Sequence, residues 1–211
     1  MKNLSILVLG LLLIGCSPHE MQQLKTGDLL FVSSSISDFE SAINEVTDDG
    51  YNLNFSHIAM VDVTDSGVFV IEATPKHGVI YRTFAEFKQE NFDKIFYIGR
   101  LKPQYQQWIP DAIVNARRRV GQGYDFAFVF GNDLYYCSEL IFVAFAEASG
   151  NSMFFETPPM TFKAPNSTAF LPFWVEYFAN LNVAIPEGEP GLNPNGMARS
   201  EKLKLLKRLT K

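Results

Sequence analysis

The sequence predicts an α+β fold in which a mainly antiparallel sheet packs against helices. Between Leu29 and Leu101 the apolar residues come in short runs rich in β-branched and aromatic side chains, each bounded by turn residues, which is the pattern of strands. From Pro103 to Gly150 they recur instead at helical spacing, so that one face of each segment can be covered. Glycines follow these helical runs at Gly121 and Gly150, where a left-handed cap would stop them.

Taken in order, Thr26-Gly27-Asp28 is a turn signal that opens Leu29-Leu30-Phe31-Val32, a compact apolar run read as a buried strand. A helix follows, with Ser37 or Asp38 as N-cap, Phe39, Ala42, Ile43 and Val46 along one face, and Asp48-Asp49-Gly50 as its end. Phe55 to Val63 and Val68 to Thr74 flank Thr64-Asp65-Ser66-Gly67 and together read as a β-hairpin. A strand at Val79 to Arg82, a helix at Thr83 to Gln89 and a strand at Lys94 to Leu101 complete the first half. Trp108, Ile109, Ala112, Ile113 and Ala116 then place a helix running towards Val120, and Gly131-Asn132-Asp133 is a turn. Leu140, Ile141, Ala144, Phe145 and Ala148 form a single stripe between Cys137 and Ser149, which puts Cys137 at a helix N-terminus. Beyond Pro158 a proline- and glycine-rich segment is expected to wrap the fold, with an aromatic helix at Phe173 to Asn180 and a polar linker from Pro186 to Met197. Ser200 to Lys211 reads as a basic amphipathic helix, with Leu203, Leu206 and Leu209 opposed to Lys202, Lys204 and Arg208, docked on its own domain or resting on an anionic surface.

At the N-terminus, Lys2 and the apolar run Leu4 to Ile14 make a segment short for a stable membrane anchor and suited to an export signal. Its end, Leu13-Ile14-Gly15-Cys16, resembles the lipobox of bacterial lipoproteins, which implies cleavage after Gly15, acylation of Cys16 and a place in the bacterial cell envelope. Ser17 after that cysteine resembles an outer-membrane address of enteric bacteria. The expected organisation is a signal peptide at 1–15, a tether at 16–24 and a single domain at 25–211. A net charge of −5 argues against a nucleic-acid partner, which calls for a basic face. Nineteen Phe and eight Tyr imply an interior or a groove built from rings. With Cys16 acylated, Cys137 has no disulfide partner in the chain, and histidines at 19, 57 and 77 alone are too few for a zinc site, so neither metal nor cofactor is expected. Oligomeric state is not legible.

A thiol reacts as thiolate, and unsatisfied N–H groups at a helix start favour that form while offering an oxyanion site. Cys137 stands at such a place, although a free cysteine is as commonly a small core residue. His57 lies in the apolar run Ser56-His57-Ile58-Ala59-Met60, where an imidazole is costly without a partner; a hydrogen-bonded core histidine is the plain alternative. Glu72, in Val70-Ile71-Glu72-Ala73, falls on the His57 face if the hairpin reverses evenly around Asp65 and Ser66, and on the other face if it reverses oddly. No Gly-x-Ser-x-Gly elbow points to a serine nucleophile.

Phe55-Ser56-His57-Ile58-Ala59-Met60-Val61, Glu72, Gly123-Tyr124-Asp125-Phe126 and Tyr136-Cys137-Ser138-Glu139-Leu140 together resemble the circularly permuted papain-like amidases and peptidases of the NlpC superfamily, the YiiX-like group, over about Gly27 to Pro190. The resemblance implies a papain-like fold in which the histidine strand precedes the cysteine helix, with Cys137, His57 and Glu72 as nucleophile, base and orienter. Tyr124 matches a family tyrosine placed to assist the oxyanion or gate the cleft, with core packing as the plainer reading. It further implies cleavage of an amide in a cell-wall peptide or a lipid-like acyl amide; a non-catalytic envelope module that binds a lipid or peptide on the same fold is the rival expectation.

Overall fold

A computed structural model describes residues 23–33, 38–47, 54–164 and 167–208. The expected signal peptide, Cys16, His19, the Ser37 cap and Asp48-Asp49-Gly50 lie outside them. Six strands form one sheet in the order β4-β3-β2-β1-β5-β6: β1 Leu29–Ser33, β2 Phe55–Thr64, β3 Gly67–Thr74, β4 Gly78–Thr83, β5 Phe96–Leu101 and β6 Leu203–Arg208. Every neighbouring pair is antiparallel. The helices are α1 Asp38–Thr47, α2 Phe84–Glu90, α3 Ile109–Arg117, α4 Cys137–Ser149, α5 Pro172–Leu181 and α6 Pro194–Ala198, with a 3-10 turn at Pro103–Trp108 ahead of α3. Among the described residues no helix is long and apolar enough to cross a membrane.

Side-chain alternation divides the sheet between two cores. Leu29, Phe31, Ile58, Met60 and Ile71 pack with Leu140, Ile141 and Phe145 of α4. Leu30, Val32, Ala59, Val61 and Val70 pack instead with Phe84 and Phe87 of α2. Helix α2 starts as its sequence dictates: Thr83 accepts from Glu86 N at 3.2 Å and the Glu86 carboxylate takes Thr83 N at 2.8 Å, a reciprocal cap. Helix α4 ends on Gly150 with φ 63°, the predicted left-handed stop. A third, aromatic cluster joins α1 to α5 through Ala42, Phe162, Trp174 and Phe178.

The β2–β3 hairpin reverses evenly, Thr64 facing Gly67 and Met60 facing Ile71. Continued by one pair, this register sets Glu72 opposite Ala59, two residues from His57 and on its face. A second irregularity matters as much: Val32 faces His57 but Ser33 faces Phe55, so Ser56 is an extra residue. The bulge breaks alternation there, since Phe55 lies in the α4 core although Ala59, of the same parity, lies in the α2 core. His57 therefore stands where β2 changes sides, and re-aiming a side chain is what a bulge does.

Two C-terminal expectations are corrected. Leu203–Arg208 is not a helix but strand β6, paired with β5 from Leu101↔Leu203 to Tyr97↔Arg208. Lys202-Leu203-Lys204-Leu205 alternates with a period of two as well as it fits a helix, and the open edge of β5 supplies the hydrogen bonds that decide between them. The segment from Pro186 to Met197 is not a solvated linker: Leu192, Pro194, Asn195 and Met197 are buried and the last three belong to α6.

Candidate active site

Cys137 opens α4 because Tyr136 before it is extended, with φ −87° and ψ 169°, and because Glu139 reaches back to Tyr136 N at 3.4 Å. Cys137 is buried, 6% exposed as a residue. The His57 ring contacts two of the sequence-expected residues at once. Its Nε2 lies 2.6 Å from Glu72 Oε2, and the Cys137 side chain is close enough to the ring to act on its proton affinity. Sulfur, imidazole and carboxylate thus come together from three separate elements. The pattern is the one by which a carboxylate fixes the tautomer of an imidazole that serves a nucleophile.

Burial on its own would lower the His57 pKa, but hydrogen bonding of the protonated ring to Cys137 and Glu72 and the charges of both outweigh it and push it up to about 10. The ring is consequently imidazolium at neutral pH. Tyr124 lines the same cavity as Cys137, and burial followed by the charge of Cys137 pushes its phenol well above the usual range, so that it remains a neutral donor.

That cavity, of about 290 Å³, is walled mainly by apolar groups, among them Phe128, Phe162, Trp174, Met160 and Ile43, with Cys137 in its lining. The loop that brings Tyr124 and Phe128 there is tied at its neck by Tyr135 N donating to Gly123 O at 3.1 Å. Asp125, fully buried, accepts from Ala127 N at 2.8 Å and Val129 N at 2.7 Å. Phe128 itself is held at φ 58°, a left-handed conformation that a bulky side chain adopts only when its surroundings fix it. Here the surroundings are rings: Tyr136, Trp174, Tyr177 and Phe178 all pack on Phe128. Glu139, under this loop, has its carboxyl raised to about 8 by burial and by the charge of Asp125.

Sequence reasoning missed two contributors. Arg82 of β4 grips the second oxygen of Glu72, Nε to Oε1 at 2.6 Å; its signal was a charged residue diagonal to Glu72, visible only once the register is known. Asn195 of α6 accepts from Phe55 N at 2.9 Å and donates to Thr47 Oγ1 at 2.9 Å, fastening the start of the histidine strand. Among the described residues no three His, Cys, Asp or Glu side chains are grouped to hold a metal ion.

The fold and the sequence have counterparts in known proteins. A relative, the uncharacterized protein YiiX of Escherichia coli strain K12, is 30% identical over 152 residues, covering 71% of this chain and 70% of the relative. The crystal structure described as metalloprotein yiiX from Escherichia coli O157:H7 superposes with a TM-score of 0.67 at 23% identity, over 88% of this chain and 98% of that one, which shows a shared fold. The family model for the permuted papain-like amidase enzymes, YaeF/YiiX, C92 family, matches residues 23–207. With the histidine strand ahead of the cysteine helix in a six-stranded antiparallel sheet, the chain belongs to this permuted papain-like amidase family.

Proposed function

We propose that the protein is a cysteine amidase that cleaves an amide bond beside an apolar acyl group, with Cys137 as nucleophile, His57 as base and acid, and Glu72 as orienter. The observation that carries the reading is the 2.6 Å contact of His57 with buried Glu72, with Cys137 acting on the same ring from the wall of an apolar cavity. The Cys137 sulfur attacks the carbonyl carbon, and the carbonyl oxygen takes the negative charge. First-turn N–H groups of α4 and the Tyr124 phenol are the donors available to that oxygen. His57 passes its proton to the amine nitrogen as the C–N bond breaks, leaving a thioester on Cys137. Water, deprotonated by His57, then attacks the thioester and releases the acid. No step calls on a metal.

The cavity favours an acyl amide over a muropeptide, because among the described residues Arg199 is the single Lys, Arg, Asp or Glu in its lining and a charged peptide would lose hydration there. On this reading the chain is exported to the bacterial cell envelope and held by lipid on Cys16, at the periplasmic side of the outer membrane. The Leu13-Ile14-Gly15-Cys16 motif supports that placement. Incubation with acyl-amide lipids and with muropeptides, read by mass spectrometry, tests the substrate: acyl amides should be hydrolysed, with an acyl adduct on Cys137, and Cys137→Ala should abolish turnover while keeping the fold. Turnover of neither class, with tight binding of one, would make the protein a binding module instead. Labelling with a palmitate analogue that persists in Cys16→Ser would overturn the anchoring site.

A further inference from the structure

We infer that Arg82 is a positioning residue for this reaction, acting on His57 through Glu72; the inference rests on the Cys137–His57–Glu72 reading above. Glu72 has a side chain 1% exposed, and each of its oxygens has a different occupant. His57 Nε2 takes Oε2 at 2.6 Å, and Arg82 brings Nε to Oε1 at 2.6 Å and Nη2 to the same atom at 2.5 Å. A carboxylate held at one oxygen only can turn about its terminal bond; a two-nitrogen grip on the other oxygen removes that freedom. The guanidinium is fixed in its turn by an ion pair with Glu90 and by the face of Phe87, 5.5 Å from its centre. Register explains the arrangement: Ile80 faces Glu72 and Arg82 faces Val70, which sets Arg82 diagonal to Glu72 on one face. Arg82 is absent from the cavity wall, so it reaches substrate only through this chain of contacts.

The test is alkylation of Cys137 by iodoacetamide at neutral pH in the full chain, read on the Cys137 peptide so that Cys16 does not contribute. Wild type, Arg82→Lys, Arg82→Met, Glu72→Gln and the Arg82→Met/Glu72→Gln pair are compared, each checked for cooperative unfolding. The wild-type thiol should react faster than glutathione, and both Arg82 variants should lose about tenfold, since small misplacements of a reacting group cost that much or more. Lysine keeps the charge without the fork, so Arg82→Lys carries the test if Arg82→Met fails to fold. Because Arg82 works through Glu72, the pair should be no slower than Glu72→Gln alone. Arg82→Lys reacting at the wild-type rate, or a pair whose loss is the product of the two single losses, would overturn the positioning role while leaving the triad. A wild-type thiol no faster than glutathione would instead remove the triad, and the role of Arg82 with it.

Discussion

His57 keeps its proton to about pH 10 against the cost of burial because Cys137 and Glu72 share its ring. An unfolded imidazole lets go near pH 6.5. The folded ring binds the proton more tightly, so the stability this brings is complete below pH 6.5 and lost as pH rises through about 10. Of the interactions that raise the value, hydrogen bonding of the ring to Cys137 is the largest. Cys137→Ala should therefore lower the His57 titration, followed by NMR of the ring, by about one pH unit or more, roughly 1.4 kcal/mol per unit; Glu72→Gln should lower it as well. A titration unmoved in both variants would mean that other groups hold the proton. These three residues are legible in the sequence because each interrupts an apolar run or stands at a periodic boundary. Arg82 is not legible, because a charged residue closing a short strand looks solvent-facing until the pairing is known.

Helix α4 begins with an acid that is largely protonated at neutral pH. Glu139 at the third position would ordinarily favour the helix start as a carboxylate, but burial and Asp125 raise its pKa to about 8. A group whose folded pKa is raised lends stability below its unfolded value, about 4.5 here, and that contribution is lost as pH rises through about 8. Glu139→Gln keeps a carbonyl acceptor for Tyr136 N and removes the titration. The variant should gain on wild type as pH rises, by on the order of 1–3 kcal/mol at pH 9 in urea denaturation, and should show no advantage at pH 4.5. An equal difference at both pH values would assign the effect to packing. The stripe of α4 and the even hairpin are legible because period and turn length determine them. The Ser56 bulge is not, because nothing local distinguishes Ser56 from its neighbours, and β6 is not, because its short leucine–lysine pattern satisfies two periods until β5 offers an edge.

Across the whole molecule, the C-terminal segment acts as a clasp on residues far away in sequence. Ser138, next to Cys137, donates to Leu192 O at 2.9 Å, and Leu192 N reaches the Tyr136 hydroxyl at 3.4 Å. Asn195 joins the first residue of the histidine strand to the last residue of α1. One segment thus touches both elements that must meet for sulfur and imidazole to pair, and its composition, rich in Pro, Gly and Asn, conceals this in the sequence. Asn195 is 1% exposed, so Asn195→Ala leaves Phe55 N without its acceptor in a dry place, at a cost of about 1–3 kcal/mol. The loss should reach the site as well, because Phe55 is two residues from His57 and beside the bulge that aims it. Asn195→Asp retains an acceptor for Phe55 N while giving up the donor to Thr47, and so separates the two bonds. The expected order of Cys137 alkylation rates is wild type, then Asn195→Asp, then Asn195→Ala, with unfolding free energies in the same order. Asn195→Ala less stable yet alkylated at the wild-type rate would show that the clasp holds the fold without setting the geometry of the site.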